Sequence, residues 1–96
     1  PKLKVLVLDM EAVDQVDSTG EEMLEKMADR LRAAGIEFFL ARIKLRVYMS
    51  FQRSGLSRHI GEDRFFRERV LAVKHAKEEL GDAIDIEPIL KSMPAD

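Results

Sequence analysis

The segment VLVLDMEAVDQVDSTG, residues 5–20, decides how the rest of the chain is read. Its first part, Val5 to Leu8, is a short leucine-rich and β-branched run without polar interruption, the pattern of a strand covered on both faces, as in a parallel sheet flanked by helices. Its last part, Val16-Asp17-Ser18-Thr19-Gly20, opens onto an amphipathic run that begins at Met23. A strand that passes through a loop into a helix puts two hydroxyls at a helix N-terminus. Unpaired backbone N–H groups and the positive end of the macrodipole favour an anion there. Ser18 is therefore the first candidate site residue. It also has a purely structural reading, because Ser18 with Glu21 three positions on forms an S-x-x-E capping box. Both readings stay open at this point.

Working outward, the run after Gly20 has helical spacing, with Met23, Leu24, Met27, Ala28, Leu31 and Ala34 on one face. Glu21, Glu22 and Glu25 crowd the first turns and Arg30 and Arg32 the last, the order the macrodipole prefers. Gly35 is expected to close the helix in a left-handed conformation. Ile36 to Ala41, IEFFLA, reads as a second strand. Strand, helix and strand make a βαβ unit with an expected right-handed crossover. The ligand-prone edge of such a sheet lies beyond the carboxyl ends of its strands, where the Asp9-to-Ser18 loop and Arg42-Ile43-Lys44 fall.

Further along, Lys44 to Ser54 reads as a short helix closed by Gly55, with Val47 and Phe51 toward the core. Tyr48 and Met49 then point elsewhere, either covering a neighbouring element or forming a partner-binding face. Phe65-Phe66 suggests a short edge strand. Val70, Leu71, Val73, Ala76 and Leu80 recur at helical spacing up to Gly81. Beyond it, Ile84, Ile86, Ile89 and Leu90 suggest an apolar tail with one helical turn opened by Asp85. The expected organisation is a folded domain over residues 1–81 and a tail over 82–96.

Composition bounds what such a chain does. It is 46% hydrophobic and 35% charged, a globular balance with a well-solvated surface rather than a disordered one. A net charge of −2 argues against a general nucleic-acid binder, which carries a basic face to displace counterions from phosphates. Without cysteine there is neither a disulfide nor a thiolate metal site. No apolar run approaches the roughly 18 to 20 residues that span a bilayer, and no signal-peptide h-region is evident. His59 and His75 lack metal-ligand spacing. Asp9, Asp14 and Asp17 are able to gather at the strand ends and hold Mg²⁺, although clustered carboxylates at a loop are commonly solvated turn residues. Ser18 has no nucleophile elbow or P-loop around it. No enzyme, cofactor or metal is expected.

Five segments in order carry a resemblance: VLVLDM (Val5 to Met10), VDSTG (Val16 to Gly20), RLRAAGIEFFLA (Arg30 to Ala41), RSGLSRHIG (Arg53 to Gly61) and Phe65-Phe66 before a final helix. From Lys4 to about Leu80 the chain resembles the sulfate transporter and anti-sigma-factor antagonist (STAS) domain. The resemblance implies an α/β fold, a sheet of mixed direction with flanking helices. It also implies a β-hairpin and a helix ahead of the VLVLDM strand, which have no counterpart here. The strand at Leu3 to Leu8 is then expected to be left unpaired on one side, inviting a second copy of the chain as partner.

Two kinds of STAS domain compete. In free-standing antagonists the serine matching Ser18 is phosphorylated by a partner kinase, which blocks binding to an anti-sigma factor. In sulfate permease family anion transporters the domain hangs on the cytoplasmic side of a transmembrane body, where it regulates transport and contacts other proteins. The antagonists usually follow D-S-[ST]-G with Leu-Gly, whereas Glu21-Glu22 stand here. That acidic pair and the IGEDRFF segment, Ile60 to Phe66, lean toward the transporter class. The candidate residues are Ser18 and Thr19 for regulation, Asp9, Asp17, Ser18, Thr19 and Gly20 for an interaction or anion-binding loop, and Tyr48 and Met49 for a partner face. A nucleotide or anion held at the amides near Thr19 and Gly20 is a third reading.

Overall fold

The computed structural model describes the backbone of residues 3–80 and 84–89 and the side chains of residues 5–78. Strand β1 (Leu3–Asp9) leads through a loop into helix α1 (Ser18–Ala33), and β2 (Ile36–Ala41) follows. Helices α2 (Leu45–Ser54) and α3 (Leu56–Ile60) and a 3₁₀ turn (Glu62–Arg64) then lead into β3 (Phe65–Phe66), α4 (Arg69–Leu80) and β4 (Ile84–Ile89). Gly55, with φ of 90°, turns the chain between α2 and α3 in a backbone conformation that an L side chain resists.

The sheet order is β3-β2-β1-β4. β1 pairs in parallel with β2, Leu8 opposite Leu40, and in parallel with β4, Leu8 opposite Ile89. The doubly covered strand expected from Val5 to Leu8 is thus one of the two interior strands of the sheet. Its alternate side chains supply two cores, as the period of two demands. Leu8 joins Phe38, Leu40, Leu24, Ala28, Val47, Phe51, Leu56 and Ile60 beneath α1, α2 and α3. Val5 and Val7 join Phe39, Ala41, Ala72 and Ala76 beneath α4. Phe39 lies edge-on to Phe66 and His75 at centroid distances of 5.1 and 5.6 Å.

Several expectations need correction. All three strand pairings among the described residues are parallel, not mixed in direction. Residues 84–89 form a strand against β1 where a tail with a helical turn was expected. The alternation Ile-Asp-Ile-Glu has period two, and the sheet offered β1 a free side; Pro88 is tolerated because β4 is an edge strand. With both sides of β1 taken, Leu3 to Leu8 presents no free edge to a second copy. On α1, Leu24 and Ala28 are buried, but Met23 is 56% exposed and faces water. On α4 the buried pair is Ala72 and Ala76, while Val70 and Leu71 lie outside. Two alanines four apart let that helix sit close on the sheet.

Candidate functional site

The loop from Asp9 to Asp17 is held by side chains from the end of β2. Asp9 is buried, and the Arg42 guanidinium grips both of its carboxylate oxygens, Nε reaching Oδ1 at 3.2 Å. Arg42 also donates to Glu11 Oε2 at 3.0 Å, and Arg69 Nε of α4 lies 3.8 Å from Asp9 Oδ2. The Glu11 backbone N–H donates to Asp9 Oδ1 at 3.0 Å. The Arg42 hydrogen bond is the largest cause holding the Asp9 carboxyl below its usual range; burial opposes it, and the Glu11 amide and the charges of Arg42 and Arg69 assist. Arg42 reaches this position in a left-handed backbone conformation, φ 60°, with its N–H bonded to Phe66 O at 2.8 Å. Farther along the loop, Asp14 pairs with Lys44, and Arg46 lies 3.9 Å away.

These anchors set where α1 begins. Asp17 has extended backbone, and its carboxylate accepts from the Gly20 N–H at 2.8 Å, while its carbonyl accepts from the Glu21 N–H at 2.9 Å. Asp17 is therefore the N-cap, and Ser18 is the first helical residue rather than the cap of an S-x-x-E box. Asp and Ser are equally good caps; the S-x-x-E pattern pointed to Ser18, and the structure gives the cap to the residue before it. Freed of that duty, Ser18 and Thr19 are exposed at the start of α1, and Gly20 is half-buried.

Ser18 opens onto a groove of about 180 Å³ bounded by Glu21, Glu22 and Glu25 of α1 and by Ser54 and Leu56 at the α2–α3 junction. The far wall went unnoticed in the sequence: Ser54 and Leu56 belong to the RSGLSRHIG segment that carries part of the resemblance, but they arrive from a different part of the chain and nothing in the sequence sets them beside Ser18. Arg42 and Arg69 were also missed as the clasp on Asp9; basic residues at the end of one strand and the start of one helix were the only signal. Tyr48 stacks edge-on to Phe65 at 5.0 Å, and Met49 is 44% exposed. They lie on α2, apart from the groove at Ser18.

Asp9, Asp14 and Asp17 are each committed to a different partner, so they do not converge on one ion. Neither histidine attends Ser18: His59 Nε2 lies 2.7 Å from Asp29 Oδ1 farther along α1, and His75 packs on Phe39 beneath the opposite face of the sheet.

The family model for the STAS domain matches residues 1–72. The chain belongs to the STAS domain family. Among solved structures, this STAS domain is similar to a sulfate transporter family protein from Wolinella succinogenes, with a TM-score of 0.73 and 28% identity over 77% of this chain and 61% of that one. It is also similar to the STAS domain of a SulP transporter from Vibrio cholerae, with a TM-score of 0.72 and 25% identity over 78% of this chain and 59% of that one. It thus spans about three fifths of the length of those chains. No curated protein matches it.

Proposed function

We propose that this STAS domain is the cytoplasmic regulatory module of a sulfate permease family anion transporter, acting by protein contact rather than by bond-making. The observation that carries the reading is the likeness in fold and sequence to the two transporter STAS structures. The groove beside Ser18 supports it. Three glutamates border the hydroxyl, and the Gly20 amide is already taken by Asp17, a surface suited to a polar or basic partner segment and poor for an anion. Its first partner is the transmembrane body of the same full-length protein. The gene sequence upstream tests this: about ten or more apolar spans of roughly 20 residues each are expected, and a reading frame that opens near Pro1 would overturn it.

Exposed Ser18 at the first position of α1 favours a second reading, a free-standing antagonist switched by phosphorylation. A phosphate there adds about −1.5 to −2 charges beside Glu21 and Glu22, which works against the attraction of the helix terminus. Incubation with a cognate kinase and ATP, read by mass spectrometry, should then label the native chain and not Ser18→Ala. An unlabelled chain retires that reading.

A further inference from the structure

We draw no further inference here: the strongest candidate, the apolar groove between the Leu45, Tyr48 and Met49 face of α2 and the β3 edge of the sheet, has one acid and one base on its wall, Glu62 and Arg67, that select no occupant, and nothing in the structure shows what covers it.

Discussion

Arg42 carries two loads at once. It is the non-glycine residue with positive φ among the described residues, and it neutralises the buried Asp9. The two loads respond differently to substitution. Arg42→Ala loses the ion pair and keeps the left-handed strain, and is expected to destabilise the fold by about 2–4 kcal/mol, since a buried carboxylate is left without its partner. Arg42→Gly loses the pair but relieves the backbone, and should recover about 1 kcal/mol of that loss in a urea titration. The carboxylate on the other side of the pair sets a pH dependence. Asp9 has its folded-state pKa below the ordinary 3.8, so its stabilisation is complete above that value and is lost as the pH falls through the lower folded-state value. Asp9→Asn should therefore lower stability at neutral pH and flatten the acid limb below about pH 4. Asp14→Asn should alter that limb little, because its pairing with Lys44 is exposed and solvent screens it.

At the scale of the element, the start of α1 moves the cap that the S-x-x-E pattern gave to Ser18 onto Asp17, one residue earlier. Asp17→Ala should cost about 1 kcal/mol as a lost N-cap, whereas Ser18→Ala should change stability by no more than about 0.5 kcal/mol. Equal losses from the two would return the cap to Ser18. In α4, periodicity named the right helix but not its buried side, because Val70, Leu71 and Val73 outweigh alanine on any hydropathy scale. Proximity to the sheet decided otherwise, and the small residues went inside. Ala76→Leu should overpack that contact by about 1–3 kcal/mol, while Val70→Gln should stay within about 0.5 kcal/mol in thermal unfolding. The second strand, the glycine after α1, and the α2 helix with Val47 and Phe51 inward were legible outright. Strong local patterns there agree with the tertiary packing.

For the whole molecule, the covered strand at Val5 to Leu8 was legible because unbroken apolar sequence has no use on a one-sided sheet. What lay beyond reach was the neighbour on its far side: a strand with aspartate, glutamate and proline in it gains its conformation from the β1 edge rather than from its own residues. The Ser18 groove was half legible for the same reason, one wall being a motif and the other an arrival from a remote segment. Pairing between β1 and β4 has a bearing on how the protein is made. β1 leaves the ribosome before α1 and β2, and its second neighbour, β4, emerges only after them. A nascent chain that has already folded β1, α1 and β2 still carries one bare flank of β1, so chaperone capture or mispairing during translation should concentrate there until β4 emerges.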